Sequence, residues 1–118
     1  MNSRNKGAAG ERELANWLKE RGYEAKRGQQ HKGGVDSPDV VVDIPGVHIE
    51  CKRTERFALY DALDQARRDA GSNMPIVAHR CNGNKGARAS CRGEWLAVLS
   101  LEDLLTLLAA RRGLDGVI

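Results

Sequence analysis

The clearest alternation of apolar and polar positions lies mid-chain, in Asp39-Val40-Val41-Val42-Asp43-Ile44 and Val47-His48-Ile49-Glu50-Cys51-Lys52, joined by Pro45-Gly46. Period two is strand periodicity and Pro-Gly is a turn dipeptide, so the two runs predict a β-hairpin. With Pro45 and Gly46 as the only loop residues, Ile44 faces Val47, Val41 faces Glu50 and Asp39 faces Lys52. Val40, Val42, Ile44, Val47, Ile49 and Cys51 then share an apolar face, and Asp39, Glu50 and Lys52 share the other. Pro-Gly favours an unprimed turn that fits a tight hairpin poorly, so a bulge could adjust this pairing.

Helical periodicity surrounds the hairpin. From about Gly7 to Arg21, Leu14, Ala15 and Leu18 form a stripe with Trp17 beside it, and Gly22 is a natural stop. Glu11 falls on that stripe, where a carboxylate costs stability unless it meets a partner, and its direction aims it at the hairpin's polar face. Glu13 is expected to face outward and complement the helix dipole. Tyr23 to Arg27 predicts a short strand, and residues 28–38 a Gly-rich, partly basic loop. A second helix is predicted from Ala58 to Ala70, with Leu59, Ala62, Leu63, Ala66 and Ala70 buried, Gln65 at the stripe's edge and Gly71 as cap. Residues 75–80 and 94–99 read as further strands, separated by a Gly-rich loop carrying Lys85, Arg88 and Arg92. Ser100 with Asp103 resembles a cap for a last helix before Gly113, whose Leu101, Leu104, Leu105 and Leu108 are expected to cover the core or a second subunit. This order predicts an α/β fold, a mixed central β-sheet flanked by helices.

At 118 residues the chain fits one domain, and with two Trp, two Tyr and one Phe its core must be mostly aliphatic. The formal net charge of +3, with basic residues in loops, suits a polyanionic partner. No apolar run reaches membrane-spanning length and the N-terminus has no signal-peptide h-region, so a soluble, intracellular protein is expected. Three cysteines in no framework spacing fit a reducing compartment. His79, Cys81 and Cys91 lack the paired spacing of a zinc cluster, and unpaired thiols are expected.

Chemistry concentrates on the hairpin. Phosphodiester hydrolysis needs an activated water, neutralised phosphate charge and a stabilised leaving alkoxide, all of which a carboxylate-held divalent metal can supply. Asp39 and Glu50 offer hard oxygen ligands suited to Mg²⁺ or Mn²⁺, the Cys51 carbonyl a further one, and Lys52 an ammonium to orient water or steady the phosphate and to relieve the carboxylates' repulsion. The bland alternative is a surface salt bridge between Asp39 and Lys52, worth little. Arg27, His31, Lys32 and Ser37 are candidate phosphate contacts, Gln65 could reach the catalytic face, and Lys85 and Arg88 could belong to a basic finger that tracks DNA.

Pro38-Asp39 followed by Glu50-Cys51-Lys52 resembles the P-D…(D/E)-x-K motif of the restriction-endonuclease-like nucleases. Lys6-Gly7-Ala8-Ala9-Gly10-Glu11-Arg12-Glu13-Leu14 resembles the opening helix of archaeal-type Holliday junction resolvases, and similar small proteins occur in bacteriophages. The resemblance covers the first half well and the second by element order. It implies that Glu11 is the helix-borne acidic member of the site, reaching a metal through water, that Asp39 and Glu50 are metal ligands, and that Lys52 is the catalytic lysine. Arg12, Arg27 and Ser37 would be substrate contacts. It further implies a homodimer whose two sites nick opposing strands of a four-way junction. The longer loop before Pro38 and the divergent second half bear on junction specificity rather than on the hairpin chemistry. Two rivals remain: a less selective nuclease of the same superfamily acting on duplex, flap or single-stranded DNA, and a non-catalytic DNA-binding module in which the carboxylates balance charge.

Overall fold

A computed structural model describes residues 3–28, 38–54, 56–81 and 93–115. In chain order they form α1 (Ser3–Glu20), β1 (Ala25–Arg27), β2 (Val40–Val42), β3 (Val47–Arg53), α2 (Leu59–Ala70), β4 (Met74–Arg80), β5 (Leu96–Val98) and α3 (Leu101–Asp115). The strands make one sheet in sequence order, antiparallel except for the β3–β4 pair. That parallel pair requires a crossover, which α2 supplies. The predicted α/β architecture, a mixed sheet with helices, is the one observed.

Packing divides the sheet into two faces. On one, Leu14 and Ala15 of α1 are buried with Ala25 and Val40, and Trp17, Leu18, Val42, Ile49, Cys51 and Ala78 close around them. On the other, Ala62, Leu63 and Ala66 of α2 are buried against Val77, with Phe57 and Val98 beside them. Ala78 and Val77 are strand neighbours and so point to opposite faces, which puts α1 and α2 on opposite sides. Leu59, expected in the buried stripe, is instead exposed, because it is the first residue of α2 and precedes the turn that meets the sheet.

The hairpin register differs from expectation by two residues: Val40 pairs with Ile49, not Cys51, and Asp43 to Gly46 form a four-residue connection. Asp43 is drawn away from the turn. Its amide donates to the Glu24 carbonyl at 3.0 Å and its Oδ1 accepts from the Glu24 amide at 3.1 Å. A two-residue shift preserves which side chains share a face, so the apolar and polar sets survive.

Ser100 caps α3 as expected, its Oγ accepting from the Asp103 amide at 3.0 Å. The helix does not cover the core, however. Leu101, Leu104, Leu105, Leu107 and Leu108 are all exposed, Leu101 at 69%. Leu101, Leu104, Leu105 and Leu108 share one side of the helix, and that side stays exposed on the single chain instead of meeting the sheet. Cys81, expected as an unpaired thiol, is disulfide-bonded, whereas Cys51 is free; spacing along a chain carries no distance between sulfurs. Among the described residues, no helix is long and apolar enough to cross a membrane.

Candidate active site

β3 carries His48, Glu50 and Lys52 at alternate positions on the face that α2 covers. Glu50 is 3% exposed and His48 1% exposed. Asp39, immediately before β2, is anchored by three backbone bonds. Its amide donates to the Ile49 carbonyl at 3.0 Å, its carbonyl accepts from Gly28 at 2.8 Å, and its Oδ2 accepts from the Cys51 amide at 2.8 Å. The last of these fastens the carboxylate to β3, one residue from Glu50.

Burial first, then the Glu50 charge, raises the Asp39 carboxyl from its ordinary 3.8 to about 7. The Cys51 amide opposes that rise, and the Glu11 charge and a hydrogen bond with Glu50 add to it. Lys52 is held from α2. Its Nζ donates to Gln65 Oε1 at 3.2 Å, so α2 positions the ammonium. The Asp39–Lys52 salt bridge of the bland reading is not found among the described residues. The Cys51 thiol is pushed up to about 12 by burial and then by the surrounding carboxylates, Asp39 foremost.

Glu11 reaches this locus from the opposite side of the sheet. Although α1 packs on the apolar face, Glu11 is buried and its charge acts on Asp39. Its Oε1 accepts from Arg27 Nε at 2.9 Å, so Arg27 is engaged with a carboxylate inside the protein rather than turned wholly to solvent. Arg12 is exposed on α1. His31, Lys32, Ser37, Lys85 and Arg88 lie outside the described residues.

Glu13 does not face outward. Arg53 Nε donates to its Oε1 at 2.9 Å, and Arg80 Nη1 lies 2.6 Å from the same oxygen. Burial alone would raise the Glu13 carboxyl; the two guanidinium groups outweigh it and hold the group below its ordinary value. α1 comes close enough to β3 here that a Cβ on Gly10 would lie 2.8 Å from Arg53 Cβ. Beyond Lys52, a cleft of about 230 Å³ is lined by Thr54, Arg56, Phe57, Asp61 and Gln65 among others. Phe57 stacks on His79 at 4.1 Å, and His79 Nε2 lies 3.3 Å from the Thr54 carbonyl.

No three His, Cys, Asp or Glu side chains among the described residues stand together as a complete ion cage. The chemistry of the donor pair nevertheless fits a divalent cation. Two buried carboxylates whose charges act on each other call for either a proton or a positive charge, and hard oxygen donors suit Mg²⁺ or Mn²⁺ completed by water and a backbone carbonyl.

A family model of archaeal Holliday junction resolvases (Hjc) matches residues 2–68, more than half of the chain. The chain belongs to this family. It is therefore a nuclease of the Holliday junction resolvase type, within the restriction-endonuclease-like superfamily. The Hjc match runs from α1 through β3 into α2, and so takes in Glu11, Asp39, Glu50, Lys52 and Gln65. A comparison with curated proteins finds no match.

Sequence reasoning missed His48 and the Glu13–Arg53–Arg80 cluster. An available signal for His48 was its even spacing with Glu50 and Lys52 on one strand face. For Glu13 there was only its proximity to Gly10, a residue that permits close helix–strand approach.

Proposed function

We propose that the chain is a metal-dependent, structure-specific DNA endonuclease that resolves four-way junctions, nicking opposing strands as a homodimer. The observation that carries this reading is the Asp39–Glu50 pair, buried on neighbouring segments with Lys52 alongside, in a chain of the Hjc family. Asp39 and Glu50, with the Cys51 carbonyl and with Glu11 through water, would hold one Mg²⁺ or Mn²⁺. Bound there, the ion would lower the pKa of water and neutralise phosphate charge.

The protein's own groups have separable tasks. Cys51 N–H fixes the Asp39 carboxylate, Arg27 fixes Glu11, and Gln65 holds Lys52 where its ammonium can meet the non-bridging oxygens of the scissile phosphate. Arg12, Arg27, Gln65 and, outside the described residues, His31, Lys32, Ser37, Lys85 and Arg88 are assigned to DNA contact. Cutting two opposed strands calls for two copies of the site, which is why dimerisation belongs to the proposal. The enzyme is placed inside the cell, as a phage-type or archaeal-type resolvase.

The deciding experiment compares an end-labelled four-way junction with a matched linear duplex, in Mg²⁺ and in chelator, for the wild type and Asp39→Ala. Paired symmetric nicks in the junction alone, lost in chelator and in the variant, are expected. Equal cutting of both substrates would transfer the assignment to a less selective nuclease. Binding without cutting, unchanged by Asp39→Ala, would leave a DNA-binding module.

A further inference from the structure

We propose that His48 is a positioning residue for the metal site: its imidazole holds the Glu50 carboxylate toward Asp39 so that the two acids can share one divalent ion. This inference rests on the metal-dependent reading above. His48 Nε2 lies 3.3 Å from Glu50 Oε1, and the two residues are 1% and 3% exposed. They sit two apart on β3, so the contact is built into the strand's pleat and needs no distant element to form it.

The position is one that packing alone would give to an aliphatic residue. His48 is among the largest fully buried side chains, on the face where α2 lays Ala62, Leu63 and Ala66 against Val77. Among the described residues its buried Nδ1 has no hydrogen-bond partner. In either neutral tautomer one ring nitrogen has lost water and gained nothing, which lowers stability relative to a hydrocarbon of similar size. With the proton on Nε2, that nitrogen donates to Glu50 Oε1 and Nδ1 is the one left over. Asp39 stands on the neighbouring segment, and its charge pushes Glu50 away unless something holds it. Buried and bonded to the ring, Glu50 has little rotational freedom. A polar ring that weakens the core while fixing a ligand is a local inconsistency of the kind functional sites carry, and outer partners of metal ligands commonly act this way.

The test uses the full chain and Mn²⁺ binding by isothermal titration calorimetry without DNA, beside urea unfolding in chelator. His48→Leu and His48→Phe keep the site filled but cannot donate; His48→Gln can. The expected result is Leu and Phe variants as stable as the wild type or more so, with Mn²⁺ binding weakened by about 10–100-fold, and a His48→Gln variant that recovers most of the affinity. In cleavage assays the Leu variant should need more metal for half-maximal rate, with the rate recovering at saturation. Wild-type Mn²⁺ affinity in a folded Leu or Phe variant overturns the assignment of His48 and leaves the metal site standing. Failure of both to fold makes the ring a structural requirement and also overturns it. A wild type that binds no Mn²⁺ removes the metal-dependent reading itself, and the inference with it.

Discussion

Gly28→Ala should disable the site without touching any charged group. A Cβ built on Gly28 would lie 1.9 Å from the Pro38 carbonyl oxygen and 3.0 Å from its carbon. Carbon-to-oxygen contacts normally settle near about 3.3 Å, so from 1.9 Å the two backbones must part by roughly 1.4 Å. The clash is with main chain, so no side-chain rotation relieves it. Separation on that scale breaks the 2.8 Å bond from Gly28 N–H to the Asp39 carbonyl and strains the 3.0 Å bond from Asp39 N–H to Ile49. Two hydrogen bonds at about 1 kcal/mol each, with about 1–3 kcal/mol for overpacking, give a loss of roughly 3–5 kcal/mol against a typical total of about 5–15 kcal/mol. Where the variant still folds, displacing Asp39 by about 1 Å should cost about 100-fold in cleavage rate. Urea unfolding and single-turnover cleavage measure the two effects. Gly7→Ala is the control, since nothing lies within 4 Å of its added carbon and an exposed helical alanine is favourable by about 0.5–1 kcal/mol. If Gly28→Ala unfolds at the wild-type urea midpoint and cuts at the wild-type rate, the argument that this close approach places Asp39 is refuted.

In chelator at pH 8, Asp39→Asn should be more stable than the wild type by on the order of 2 kcal/mol, because the amide removes a buried like charge while still accepting from Cys51 N–H; added Mg²⁺ should reverse the order, as calorimetry would read. Glu13→Gln should lose about 1 kcal/mol at pH 7, discounted because the side chain is 35% exposed. Since the folded-state value of Glu13 is depressed, that contribution is present above its ordinary 4.5 and fades as pH falls through the lower folded value, so the unfolding curves of variant and wild type should converge in acid. Cys51, free but pushed up to about 12, should react with iodoacetamide at pH 8 far more slowly than an exposed thiol, and mass spectrometry of the intact protein would read the difference.

The reach of the sequence differs from residue to residue. Alternation along residues 39–52 gave the strands and the company of Asp39 with Glu50, because a period of two keeps the faces together under any even shift of register. The register itself depended on Asp43 bonding Glu24, a tertiary pairing that no local pattern contains. Glu13 was misdirected for a similar reason: its partner Arg53 stands 40 residues away, on a strand whose approach to α1 depends on how the helix docks. His48 passed as an ordinary polar strand position because alternation suggests one wet face, whereas a parallel crossover covers both faces of its strand. The leucines of α3 announced a helix with an apolar side accurately, but of the two surfaces that side was expected to cover, the core of its own chain is not the one, since periodicity gives a face and not what it meets.

β3 is held unequally by its two neighbours. Seven residues, Val47 to Arg53, are registered against β4, whereas β2 meets β3 at the single pair Val40 and Ile49. Glu50 and Lys52 therefore ride on a long, two-stranded rail, and Asp39 reaches them from a shorter strand, tied to β3 by its own bonds to Ile49 and Cys51. Segments paired so differently open at different free energies. Amide exchange should be slower along β3 and β4 than across β1 and β2, and anything that joins Asp39 to Glu50 should slow exchange at β2 selectively. The Cys51 amide, which donates to the Asp39 carboxylate across the two segments, is the proton whose exchange reports how firmly the two acids are held together.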